Sequence, residues 1–277
     1  MFKSLRKKIG ITGYGNMGSA IAERIKSSYR IFVFDKDKEK TKNLKNITVA
    51  DSVISLLEQV DVLILAVKPQ DFELLLNEIK DKVNNKLVIS IAAGISTKYI
   101  ENILGAVRVM RVMPNIGAIV GKAVSYICKG SFSKTKDAKL SIRIFNFIGH
   151  TFILPEGLMN AATAVGGSGP GFWGYLFDKT PREKWDEYKT NNFIPELTSA
   201  ARSVGFDEEM ASLTAGCVAT ASISTAGALH ISPAELAKKV ASKGGTTEAG
   251  LEVLQKGGSL TDAVKAAVKR AEELSRK

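Results

Sequence analysis

The chain is poor in the residues that mark metal proteins and secreted scaffolds. It has only 2 cysteines, Cys128 and Cys217, far apart and without metal-like spacing. That excludes a disulfide framework and points to a reducing, cytoplasmic setting. Its 2 histidines, His150 and His230, stand outside every motif, so both are expected to be structural and no metal constellation is expected. Only 7 prolines are present, with no long Pro- or Ser-rich linker, and 45% of residues are hydrophobic, which supplies a core and argues against disorder. No stretch has the form of a signal peptide. The apolar run at 62–67 is too short to span a membrane, and 211–228 reads as too weakly hydrophobic to do so. The basic opening, Met1-Phe2-Lys3-Ser4-Leu5-Arg6-Lys7-Lys8, runs straight into a strand pattern and reads as a solvated lead-in.

Aromatic residues are also sparse and are not interleaved with the basic ones. The formal charge of +11 therefore does not read as a nucleic-acid surface. A general positive field also draws in anionic cofactors and substrates. A length of 277 residues suits one large or two modest domains.

What is present is a clear change of texture. Strand-like runs at 8–12, 31–34, 61–67, 87–91 and 107–112 alternate with helical stretches at 17–28, 53–59, 72–83 and 99–104. This alternation predicts an α/β domain, a doubly wound parallel sheet over 1–157. Beyond 158, Ala, Gly, Ser and Thr dominate and strand signals vanish, so 158–277 is expected to be an all-α domain. Helices lined with small residues, such as 211–228, suit close packing or a subunit interface. The segment 178–192 breaks the pattern: polar and charged with two aromatics, Trp185 and Tyr188, it reads as an exposed excursion and an insertion.

The first strand is followed by Gly13-Tyr14-Gly15-Asn16-Met17-Gly18, a G-x-G-x-x-G that opens a helix. In that context Gly13 allows the tight turn, Gly15 the approach of a pyrophosphate, and Gly18 close helix–strand packing. Asp35 ends the second strand, where an acid accepts from ribose hydroxyls, while Lys36 and Lys38 could meet a 2′-phosphate; a strand end with solvated charges is the alternative. The third strand ends in Ala66-Val67-Lys68-Pro69, on the edge where such sheets hold ligands. The strand at 107–112 leads into Met113-Pro114-Asn115, and Asn115 could bond nicotinamide or ribose, or simply shape a loop. Near the C-terminus, Ser242-Lys243-Gly244-Gly245-Thr246-Thr247-Glu248 places hydroxyls and backbone N–H groups at a helix start, which suits a carboxylate or phosphate.

Taken in order, Gly13-x-Gly15-Asn16-Met17, Val67-Lys68-Pro69, Met113-Pro114-Asn115, Gly167-Ser168-Gly169-Pro170 and Gly244-Gly245-Thr246-Thr247 resemble the pyrroline-5-carboxylate reductase family over nearly the whole chain. The span 233–255 carries the most specific part. The resemblance implies reduction of the cyclic imine 1-pyrroline-5-carboxylate to proline by NADPH or NADH. It also implies a Rossmann domain, a helical dimerisation domain, and an active site near the interface of a homodimer or larger homo-oligomer. By the same resemblance, Gly245, Thr246 and Ser242 would hold the substrate carboxylate and Thr247 would lie by the imine nitrogen. Asn115 would serve both ligands, and Gly13 to Gly18, Asp35, Lys36 and Ala66 to Pro69 would line the cofactor. Gly166-Gly167-Ser168-Gly169-Pro170 fits the loop beside the nicotinamide, and also a helix break.

Three positions depart from the family pattern: Lys243 replaces a proline, Asp35 replaces Ser or Asn, and 178–192 is extra. Two other readings stand beside this one. A related reductase of the β-hydroxyacid dehydrogenase kind would need a desolvated lysine, and Lys179, Lys184 and Lys189 lie in the charged segment. A non-catalytic cofactor-binding protein could use the same fold.

Overall fold

Apolar, β-branched runs carry the first half of the chain, and each becomes a strand. The computed structural model describes residues 6–178 and 180–275, apart from the side chain at 190. The start of the basic lead-in, 1–5, together with Lys179 and residues 276–277, lies outside them.

The strands are β1 (Lys8–Thr12), β2 (Arg30–Phe34), β3 (Thr48–Val49), β4 (Val62–Leu65), β5 (Leu87–Ser90), β6 (Arg108–Pro114), β7 (Ala123–Lys129) and β8 (Gly149–Ile153). They form one sheet in the order β3-β2-β1-β4-β5-β6-β7-β8, and the pairings from β3 through β6 are parallel. Every residue of β4 and β5 is buried, which is why these strands read as apolar runs, broken only by Ser90 at the end of β5. The chain runs outward from β1 to β3 and then returns to place β4 on the other side of β1. The order thus reverses beside β1, and such a switch point leaves a crevice at the carboxyl ends of the strands.

The chain separates into two compact units that do not follow a single cut: 1–112 with 127–148, and 113–126 with 149–277. In the first, helices α1 (Asn16–Ile25), α2 (Val53–Glu58), α3 (Phe72–Ile79), α4 (Thr97–Leu104) and α5 (Thr135–Phe145) cover the strands. A core that includes Phe32, Leu56, Leu63, Phe72, Leu76, Ile100 and Val109 holds them there. The strands β3 and β7 and helix α5 were not anticipated. β3 is two residues long, and β7 hides its serine, Ser125, in the interior.

The second unit holds β8, the start of β7 and the helices α6 (Met159–Ala162), α7 (Gly169–Phe177), α8 (Trp185–Tyr188), α9 (Ile194–Ser203), α10 (Glu208–Leu229), α11 (Pro233–Val240), α12 (Thr246–Gln255) and α13 (Leu260–Ser275). Contrary to the sequence reading, α10 is long and apolar enough to cross a membrane by length and composition. Its buried residues, among them Ala211, Thr214, Ala215, Val218, Ser222 and Thr225, form a stripe at helical spacing, as in the core helix of a globular unit.

The excursion at 178–192 also differs from expectation. Most of its described charges are exposed, but Trp185 meets Trp173 edge-on at 5.4 Å and Tyr188 meets Phe177 at 5.0 Å. Trp185 Nε1 donates to the Thr180 carbonyl at 3.0 Å. The two aromatics anchor the segment because burying their rings outweighs what a short charged loop could gain from solvent.

Candidate active site

The glycine loop belongs to the first unit. Gly13 has φ +91, and a Cβ there would sit 2.5 Å from the Ala66 carbonyl oxygen, so only glycine fits. A Cβ on Gly18 would collide with the Gly13 carbonyl, so α1 packs against the turn only with glycine at this place. Gly15 is different: among the described residues, a Cβ there would meet nothing within 4 Å. No described atom requires that glycine; the open side is where an outside group can approach the backbone. Gly15 is also the N-cap of α1, with no side-chain cap and no acidic residue in the first turn. The helix start is left with free N–H groups and an uncompensated positive end, a cradle that fits a pyrophosphate.

Asp35 arrives beside this loop, as its position at the end of β2 requires. Its carboxylate is almost fully buried and already engaged, with Oδ2 accepting from the Tyr14 N–H at 2.6 Å and Oδ1 from the Asp37 N–H at 2.8 Å. A ribose hydroxyl could reach only its remaining lone pairs. Lys40 lies 3.6 Å from the same carboxylate, and exposed Lys36 pairs with Asp71 at 2.9 Å. That hydrogen bond to Asp71 raises the Lys36 pKa. Burial, with the neighbouring Glu23 carboxylate, pushes the Tyr14 hydroxyl up to about 12. Asn16 is exposed and Met17 half-buried at the start of α1. Ala66 bonds back to Thr12, while Val67 is half-buried and Lys68 and Pro69 are exposed on the same edge.

The second unit gathers Asn115, the loop from Gly166 to Pro170, and the turn before α12. Asn115 is buried. Its Oδ1 accepts from the N–H groups of Gly117 and Val124 at 3.1 and 3.2 Å, and its Nδ2 donates to the Gly166 carbonyl at 3.0 Å. A buried amide must satisfy its own groups, so it braces the loop and keeps one Nδ2 hydrogen spare.

Residues Thr163–Gly167 form a π-turn, a distortion that is often found at functional sites. A Cβ on Gly166 would strike the ring of Tyr126, whose hydroxyl bonds Thr214 at 3.2 Å. The π-turn ends at Ser168, which is wholly buried.

The helix α12 begins at Gly245, again with no side-chain cap. The Gly245 N–H donates to the Ser242 carbonyl at 2.9 Å, so this amide is not free for a substrate as expected; Thr246 and Thr247 supply the first helical N–H groups instead. Ser242 is exposed, with its Oγ against Gly245. Gly244, at φ +68, donates to Glu248 and receives Arg270 Nε on its carbonyl at 2.7 Å. Thr247 is buried, with its methyl against Gly171 and its Oγ1 donating to Ser168 Oγ at 3.0 Å; Thr246 Oγ1 is also 3.0 Å from Ser168 Oγ.

Sequence reading placed Glu248 and Ser168 in their motifs without assigning either a contact, and missed Arg270 altogether. The acid three residues after Gly245 was the available signal for Glu248. Nothing local pointed to Arg270, 26 residues from the carbonyl it meets. Of the lysines weighed for a dehydrogenase, Lys184 is exposed and Lys189 is paired with Asp186 at 2.7 Å, so neither is desolvated and unpaired.

A glycine cradle at the first βα turn of a doubly wound sheet defines the dinucleotide-binding class of fold. Comparison with known proteins narrows the class. Residues 8–94 match the family described as NADP oxidoreductase coenzyme F420-dependent, and residues 191–276 match pyrroline-5-carboxylate reductase dimerisation. The chain is 33% identical to a pyrroline-5-carboxylate reductase of Methanosarcina acetivorans, covering 98% of this chain and 99% of that protein. It is 34% identical to one of Aquifex aeolicus, covering 92% and 91%. Among solved structures, the Coxiella burnetii pyrroline-5-carboxylate reductase superposes with TM-score 0.65 at 28% identity, over 98% of this chain and 100% of that one. The Plasmodium falciparum pyrroline carboxylate reductase with NADP bound gives 0.63 at 26% identity, over 98% and 99%. The chain belongs to the pyrroline-5-carboxylate reductase family.

Proposed function

We propose that this protein reduces 1-pyrroline-5-carboxylate to proline with NAD(P)H, the last step of proline synthesis. The observation that carries the reading is the full-length relation to reductases of this name. The substrate has one carboxylate and one ring nitrogen, and the α12 start offers a partner for each. The free N–H groups of Thr246 and Thr247, at the positive end of the helix, suit the carboxylate, with the exposed Ser242 hydroxyl beside them. The Thr247 hydroxyl, held by Ser168, suits the nitrogen.

In the first unit, the N–H groups at the α1 start and the space above Gly15 would hold the pyrophosphate. Ala66 to Pro69 would border the nucleotide, as would Asp35 and Lys36. When bound, the dinucleotide supplies the hydride. The protein's work is to hold the acceptor carbon in line and to fix the charge on nitrogen.

The outward face of α10, with Ser212, Leu213, Gly216, Thr220 and Gly227, is rich in small residues and suits a second copy of the chain in a homodimer. Cys128 and Cys217 form no disulfide, which suits the cytoplasm.

The direct test is steady-state turnover of pyrroline-5-carboxylate with NADH and with NADPH. A folded protein that binds either cofactor but leaves the imine unreduced would sink the proposal and favour a non-catalytic role. Reduction of a β-keto acid in place of the imine would favour the dehydrogenase reading.

A further inference from the structure

Ser168 stands at the junction between the π-turn and α7. The π-turn Thr163–Gly167 delivers it, and the Ser168 N–H donates to the Thr163 carbonyl at 2.9 Å. Its carbonyl then receives the Gly171 and Phe172 N–H groups that begin α7, at 2.8 and 3.1 Å. This spends its backbone on the two helices and leaves its hydroxyl, wholly buried, to meet both threonines of α12 at 3.0 Å each.

The direction of these bonds matters. Thr247 donates its only hydroxyl proton to Ser168, so what Thr247 can offer any other group is lone pairs. It cannot rotate away, because its methyl is seated against Gly171, where even one added carbon would collide.

We propose that Ser168 is a positioning residue that fixes Thr247 as a hydrogen-bond acceptor. The site thereby selects the protonated imine, whose N–H⁺ donates to Thr247. This rests on Thr247 lying by the ring nitrogen. The electron count needs no protein acid. When a hydride adds to the ring carbon, a C–H bond forms and the C=N π pair moves onto nitrogen. The positive charge is cancelled, and the N–H proton stays where it was. Thr247 keeps its own proton throughout. A neutral imine, with a lone pair and no N–H, would face oxygen lone pairs and be repelled.

A mutant cycle on the full-length protein tests this. Thr247→Val keeps the shape and removes the hydroxyl, and should lower kcat about 100-fold with NADPH affinity unchanged. Ser168→Ala should lower kcat about tenfold, the worth of one oriented hydrogen bond. Adding Ser168→Ala to Thr247→Val should cost nothing further, since the serine acts through the threonine.

A second readout compares proline, whose ring N–H can donate, with cyclopentanecarboxylate, which has CH₂ in its place. The preference for proline should shrink about tenfold in Ser168→Ala. Ser168→Cys, of similar size but a weak acceptor, should follow Ser168→Ala and covers the case in which the alanine variant folds poorly.

A wild-type kcat in Thr247→Val would remove the Thr247 assignment, and this inference with it. A normal Thr247 effect would leave that assignment standing, while either of two results would overturn the role of Ser168: an additive loss in the double variant, or an unchanged preference for proline.

Discussion

Two kinds of helix start coexist in this chain. α4 begins with Ser96 capping Tyr99, α10 with Asp207 capping Met210, and α11 with a reciprocal pair between Ser232 and Glu235. α1 and α12 begin at glycine, with no side chain over their first N–H groups. A cap is worth roughly 0.5–2 kcal/mol, so each bare start forgoes stability that the chain takes elsewhere. The starts of α3 and of α6 to α9 also lack a side-chain cap, but α1 and α12 are the two with glycine at the cap position, and these are the candidate ligand grips. They differ in turn from each other: α1 offers backbone alone beside open space, whereas α12 adds two hydroxyls locked by Ser168 and a turn held by Glu248 and Arg270. The first is shaped to receive an anion, and the second to orient one particular polar atom.

The comparison breaks most severely at Gly18. Gly18→Val would push a side chain into the Gly13 carbonyl, so the loop must open or α1 must lift from it. We expect a loss of about 2–4 kcal/mol by chemical denaturation and cofactor affinity reduced more than 100-fold. Normal cofactor binding in a stable Gly18→Val protein would mean that the cradle lies elsewhere.

Gly15 sharpens the same comparison. Gly15→Ala adds a methyl into open space at φ −80, which suits any residue, so stability should change by less than about 0.5 kcal/mol. Cofactor affinity should still fall about tenfold, because the added carbon occupies the approach to the helix N–H groups. Calorimetry of cofactor binding, beside thermal melts of the same samples, separates the two effects. Unchanged affinity would show that Gly15 is an ordinary turn glycine.

Asp35 asks whether the α1 start is braced or read. Its two oxygens hold Tyr14 and Asp37, so Asp35→Asn, with one acceptor oxygen in place of two, should loosen the loop. Affinities for NADH and NADPH should then fall together, by about tenfold for one charge-assisted bond. If Asp35 instead reads the ribose, the variant would lose NADH and keep or gain NADPH.

How much of this was legible is decided by what each feature depends on. The strands β1, β2, β4 and β5 and the glycine loop depend on local pattern and on backbone angles that only glycine meets, and both are visible in a string of letters. Asn115, Trp185 and Ser168 depend on what stands opposite. Asn115 reads as a ligand partner or a loop-shaping residue; that it turns inward depends on Gly117, Val124 and Gly166, which present backbone groups to it. Trp185 sits among charges in the sequence, while its ring lies against Trp173, from the previous helix. The Gly245 amide was assigned to substrate because a glycine before two threonines suggests free N–H groups; the turn closes that bond on Ser242.

The smallest effect concerns the capped starts, where function should not change at all. The Ser232 N–H bonded to Glu235 at 2.7 Å, with the Ser232 hydroxyl, holds that carboxyl below its usual 4.5. The Ser259 hydroxyl bonded to Asp262 at 2.6 Å does the same below 3.8 at the start of α13. Both pKa values are lowered on folding, so the stability they contribute is fully present above the unfolded values. It is lost as pH falls through the folded values. Both groups are exposed, so solvent screening keeps the contribution small. Glu235→Gln combined with Asp262→Asn should therefore flatten the decline in melting temperature over about pH 5 to pH 3 while leaving cofactor affinity at neutral pH untouched. A decline as steep as in the parent would show that the caps do not carry the acid sensitivity. A loss of cofactor affinity would erase the division between capped and bare helix starts.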